Sequence, residues 1–151
     1  MVTLEELWLG VTVLQIHTLI SLILAVLICG VAMWRGDQAA RWTGAVSLAN
    51  WLGSLLIYRR DAYNADYGVL AIDAIALIAF AWISIRTRRI WTIIASAFLA
   101  IIVASHIATV IDLRVTHGTW LIGMAMWSYG VLACIAFGTW TSWRGRRAGP
   151  V

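Results

Sequence analysis

Polar and charged residues along this chain gather in short clusters, and five stretches between the clusters are apolar almost throughout. The stretches cover about 7–34, 42–58, 67–85, 90–113 and 119–143. A helix crossing a bilayer needs about 20 apolar residues at 1.5 Å rise each. The first stretch exceeds that length and has room to tilt, and the second lies at the lower end of the range. The connections, 35–41, 59–66, 86–89 and 114–118, are too short to fold into a domain. The pattern therefore predicts an all-α, polytopic integral membrane protein, a five-transmembrane-helix bundle forming one domain over 1–151.

Composition agrees. The chain is 62% hydrophobic and only 12% charged, with a mean hydropathy of +0.88, whereas soluble domains carry about 25% charged residues. A net charge of +4 raises the question of nucleic acid. All eleven basic residues are arginine, however, and they sit in the breaks between apolar runs rather than on a basic face, so no nucleic-acid partner is expected. Thr3, Leu4, Glu5 and Glu6 read as a capping box that starts the first helix, and the acidic start lacks the positive n-region of a secretory signal. Cys29 and Cys134 fall inside apolar runs and read as small buried hydrophobes.

Cytoplasmic segments carry an excess of basic residues. If the N-terminus is outside, Arg35, Arg41, Arg86, Arg88, Arg89, Arg144, Arg146 and Arg147 share the inner side, against Arg59, Arg60 and Arg114 on the outer. The expected orientation is N-out and C-in, in a bacterial inner membrane. Trp8, Trp34, Trp42, Trp82, Trp91, Trp120, Trp140 and Trp143 fall near span ends, where amphipathic rings favour the headgroup level. Trp51 and Trp127 lie deep. Helix association in lipid relies on close approach through small residues. Two ridges at four-residue spacing, Ala45, Ala49 and Gly53 on the second span and Ser96, Ala100, Ala104 and Ala108 on the fourth, are expected to pack within the bundle.

Four polar residues stand where lipid would surround them: His17, Asn50, Asp73 and His106. With alternating helix directions they lie roughly 9–15 Å below the outer edge, in one layer. Ionisable residues at membrane depth face the bundle interior and are candidates for function. The leading expectation is a structural network in which Asp73 and His106 share a hydrogen bond or ion pair and Asn50 and His17 complete it. The same constellation suits a proton relay. His17 and His106 would also be the axial ligands of a haem b, should one be held between helices; no cofactor and no metal is otherwise predicted. A second polar group, Asp61, Asp66, Asp112, Arg114 and His117, falls at the outer mouth, either as a solvated rim or as an aqueous entrance.

No Gly-x-Ser-x-Gly, phosphate-binding glycine loop, His-Glu-x-x-His or Cys-x-x-Cys occurs. Ser105 and His106 project about 100° apart on a helix, which disfavours a nucleophile–base pair. The expected function is therefore non-enzymatic: an accessory subunit of a larger membrane assembly, or a homo-oligomer, with lipid and other membrane subunits as partners. The alternatives are a proton- or ion-conducting unit using Asp73 and His106, a haem b electron-transfer subunit, and a holin-like pore former.

Overall fold

The computed structural model describes residues 4–57, 67–111 and 117–147, all of them helical apart from two tight connections. The helices are α1 (Leu4–Arg35), α2 (Gln38–Ile57), α3 (Tyr67–Thr87), α4 (Ile90–Ile111) and α5 (His117–Arg147). α3 and α4 are long and apolar enough to cross a membrane. Most boundaries fall within two or three residues of the hydrophobic pattern, and two extend well beyond it. α2 starts four residues earlier than its apolar run, because the Asp37 side chain accepts a hydrogen bond from the Ala40 amide at 3.0 Å and caps the helix. α5 runs on through Arg147, since arginine is a good helix former and nothing there breaks the turn.

Consecutive helices pack against one another, α5 returns to α1, and α2 reaches across to α5. The core draws on all five: Ala32, Ala39, Ala40, Ala76, Phe80, Trp91, Ala95, Leu99, Ile102, Val131 and Ile135. Small residues set the close approaches. A Cβ on Gly44 would stand 3.1 Å from the Cys29 carbonyl oxygen and from Ala32 Cβ, so α2 lies directly on α1 there. Gly138 of α5 receives the Trp91 indole of α4, whose ring atoms would be 2.3–2.6 Å from an added Cβ. Trp91 is thus buried rather than an interfacial anchor. Trp34, Trp42, Trp82 and Trp140 are exposed near helix ends, as expected. Cys29 is buried, Cys134 is half-buried, and both are free thiols.

One expected ridge lies elsewhere. Ala100, Ala104 and Ala108 are exposed on the outside of α4, and Ser96 alone of that series is half-buried. The buried stripe is Thr92, Ala95, Leu99, Ile102 and His106, alternating steps of three and four. A strict four-residue step advances about 40° per repeat at 3.6 residues per turn, so the series from Ser96 to Ala108 winds about a third of the way round the helix. The 3–4 alternation stays on one face. On α2, likewise, Ala49 is exposed and Ala45 half-buried, while Gly53 meets Ile72 of α3. The buried positions are Ala39, Ala40, Thr43, Gly44 and Ser47.

The arginine-bearing ends meet at one end of the bundle. Arg89 pairs with Asp37 at 2.5 Å and reaches Ser142 at 3.4 Å. Arg146 donates to the carbonyls of Arg35 and Gly36. α3 and α4 are joined through Arg88, whose φ of 51° places it in the left-handed region, where a residue with a Cβ costs about 1–2 kcal/mol.

Two stability outcomes follow. Gly138→Ala should lower the unfolding free energy in detergent by about 1–3 kcal/mol, because a rigid indole has to move. Arg88→Gly should raise it by about 1 kcal/mol by relieving the left-handed position. Thermal unfolding followed by tryptophan fluorescence measures both.

Candidate functional site

α3 carries its buried face at Val69, Asp73, Ala76, Phe80 and Ser84. These again step by threes and fours, so Asp73 occupies a core position on an otherwise apolar stripe. Counted from the nearer helix ends, Asn50, Asp73 and His106 lie seven, six and five residues in, or about 8–10 Å. α2, α3 and α4 bring them together at one level.

Asp73 is the hub. Its Oδ1 accepts a hydrogen bond from Asn50 Nδ2 at 2.9 Å, and its Oδ2 stands 3.0 Å from Nε2 of His106. With the carboxylate ionised it can only accept, so the imidazole N–H and the amide NH2 are the donors. His106 is wholly buried and Asp73 is 5% exposed. One carboxylate therefore ties three helices, one oxygen to each neighbour. Oδ1 of Asn50 is buried and has no hydrogen-bond partner among the described residues.

Toward the basic end, α3 and α4 continue with a fully buried Phe80 and with Ala76, Leu99 and Ile102 in the same core, while α2 carries the buried hydroxyls of Ser47 and Thr43. Further along, Ser84 of α3 and Ser96 of α4 meet at 2.9 Å. Most buried hydroxyls are satisfied within their own helices. Thr43 donates to the Ala39 carbonyl, Ser84 to Phe80 and Thr139 to Ile135 at 2.8–2.9 Å, the back-bonding that lets Ser and Thr sit in an apolar helix face.

Of the remaining expected residues, Asp61, Asp66, Asp112 and Arg114 lie outside the described residues, as do Thr3, Arg59 and Arg60. His17 lies within α1 and His117 opens α5, but their side chains lie outside the described part. Among the described residues, no group of three His, Cys, Asp or Glu side chains gathers as a metal site requires. Haem ligation through His106 Nε2 would break its bond to Asp73.

Three polar contacts escaped the sequence reading. The hydroxyls of Ser21 on α1 and Tyr129 on α5 hydrogen-bond across the bundle, beside the small cluster of Ala25, Cys29 and Leu132. Ser84 and Ser96 form the second. Their signal was available: Ser84 follows Asp73 by eleven residues, about 20° away on a helical wheel. The third is Asp37, which caps α2 and pairs with Arg89; among the described residues it is the acidic side chain beside the arginines of that end.

Removing the hub should unbind both donors at once. Interhelical hydrogen bonds between membrane helices are worth about 0.6–1.7 kcal/mol each, so Asp73→Ala should cost about 1–3 kcal/mol, with Asp73→Asn costing less. Adding Asn50→Ala to Asp73→Ala should cost almost nothing more by hydrogen bonding, a non-additivity that a double-mutant cycle on detergent unfolding reads directly.

No family model matches the chain, and comparison with curated proteins and with solved structures also returns no match.

Proposed function

We propose that the chain is a multi-pass protein of a bacterial inner membrane. All five helices cross the bilayer, the N-terminus lies outside and the C-terminus in the cytoplasm, and the protein serves as a non-enzymatic subunit that associates with other membrane helices or with its own copies. Supporting the membrane part is the outer surface: Ile20, Leu27, Leu56, Ile75, Ile78, Ile85, Ile90, Ile94 and Ile111, spread over α1 to α4, all stand exposed, and a protein surface rich in large apolar side chains marks a face that meets something other than water. Supporting the orientation is the crowding of arginines at one end, where Arg35, Arg86, Arg144 and Arg147 each stack on a tryptophan at 3.9–4.9 Å. Charged heads above amphipathic rings suit an interface.

The observation that carries the subunit reading is the placing of α4's small residues. Ala100, Ala104 and Ala108 face outward, where they leave room for another helix to approach closely. Asn50, Asp73 and His106 are meanwhile bonded to one another. In mild detergent the protein should run above monomer size or with a co-purifying membrane protein. Ala104→Leu together with Ala108→Leu should shift it toward monomer without unfolding it. A monodisperse monomer free of partners, in native membrane extracts, would count against this reading.

A second reading, proton or ion conduction, is favoured by the buried Asp73–His106 contact. Against it stands the apolar face of α3 and α4 around Phe80, where neither helix buries a polar group between that pair and Ser84. This reading expects a pH-dependent flux in proteoliposomes that Asp73→Asn abolishes; no flux from the unaltered protein would dispose of it.

A further inference from the structure

α1 and α5 do not close completely against each other toward the basic end. They leave a groove of about 360 Å³ lined by Leu27, Ile28, Val31, Arg35, Thr139, Trp140 and their neighbours, within the range of about 300–1,000 Å³ typical of ligand sites. Leu27, Val31 and Trp140 are exposed along its edges, so it opens sideways, away from the bundle axis. Its floor is apolar. Thr139, the one hydroxyl in the lining, donates to its own helix at the Ile135 carbonyl, so the groove presents almost nothing polar along its length.

The basic end of the groove is different. Arg35 lines it directly. Arg144 stacks on Trp140 at 4.9 Å and Arg147 on Trp143 at 3.9 Å, and both of those rings line the groove. Stacking holds two guanidinium groups beside the opening. Among the described residues, the acid at this end is Asp37, and it pairs with Arg89. Arg146 donates to backbone carbonyls instead. Arg35, Arg144 and Arg147 therefore bring three positive charges to the groove, and among the described residues no side-chain carboxylate is set against them.

We propose that this groove binds one anionic phospholipid, an acyl chain lying along Leu27, Val31 and Trp140 and the phosphate resting among Arg35, Arg144 and Arg147. A slot that is apolar over its depth and positive at one end matches a molecule that is apolar over its length and negative at one end. Guanidinium groups bind phosphate oxygens in a paired geometry that zwitterionic headgroups offset with their own ammonium charge. Basic pockets between membrane helices on the cytoplasmic side are suited to anionic headgroups for the same reason. The inference rests on the membrane reading above, and uses none of the groups in the Asp73 layer.

The test is native mass spectrometry of the full chain released from nanodiscs of equimolar phosphatidylglycerol and phosphatidylcholine. The unaltered protein should retain phosphatidylglycerol over phosphatidylcholine by about thirtyfold or more, as two or three arginine contacts near a membrane surface imply. Arg35→Gln with Arg144→Gln should reduce that preference to about fivefold or less, the share left to Arg147. Ala136→Trp, which fills the groove from an exposed position, should lower retention of phosphatidylglycerol while leaving all arginines in place. Should that variant fail to fold, the arginine pair, being exposed at helix ends, still decides the matter. Equal retention of the two lipids by the unaltered protein would overturn the proposal, and so would a preference unchanged in the arginine variant. A chain recovered in the soluble fraction without detergent would instead overturn the membrane reading itself, so the two failures are distinguishable.

Discussion

Asp73 presents two oxygens to two other helices, and the arrangement of α2, α3 and α4 follows from where those oxygens can be satisfied. A carboxylate in an apolar interior is tolerable only when its hydrogen bonds are made. Asn50 and His106 make them, and in doing so they set the rotation of α2 and α4 about their own axes. Once His106 faces inward, the 3–4 stripe of α4 through Ile102, Leu99, Ala95 and Thr92 faces inward as well. The remaining face of that helix, with Ala100, Ala104 and Ala108, is turned out. An interior requirement at one residue thereby decides which surface the protein offers to its surroundings.

The bundle handles its other polar groups at two further levels by different means. Serine and threonine hydroxyls turn back onto their own helices, which costs little and binds nothing together. Among the described residues, hydroxyl contacts to other parts of the bundle are fewer: Ser84 with Ser96, Ser21 with Tyr129, and Ser142 with Arg89. At the basic end the devices are electrostatic and capping interactions, with Asp37 holding both the start of α2 and Arg89. Arg89 is substantially exposed, so this pair contributes modestly to stability; its effect is to hold the α1–α2 and α3–α4 connections together. Between the Asp73 layer and this end, α3 and α4 are apolar around Phe80, while α2 carries the buried hydroxyls of Ser47 and Thr43.

That division gives the proposed roles different locations. Any chemistry that needs the Asp73–His106 contact belongs to the layer opposite the arginines. Lipid recognition belongs to the α1–α5 groove at the basic end, and association with other helices to the outer face of α4. These sites share no residues, so each can be altered while the others stay in place.

The sequence alone determined that the chain is helical and where the helices run, because apolar runs and charged breaks are properties of the chain read in order. It also singled out Asn50, Asp73 and His106, since residues that lipid cannot solvate are conspicuous in any apolar run. The gathering of arginines at one end followed from the same alternation. What it could not determine was rotation. In helices apolar on every side, periodicity carries almost no information about which face is inward, and a four-residue ridge looks as good as a 3–4 stripe. Only packing separated the two, turning Ala100, Ala104 and Ala108 outward, seating Trp91 on Gly138 and opening the groove between α1 and α5. The tertiary structure decided these because they depend on the meeting of two helices, and no single helix contains that information.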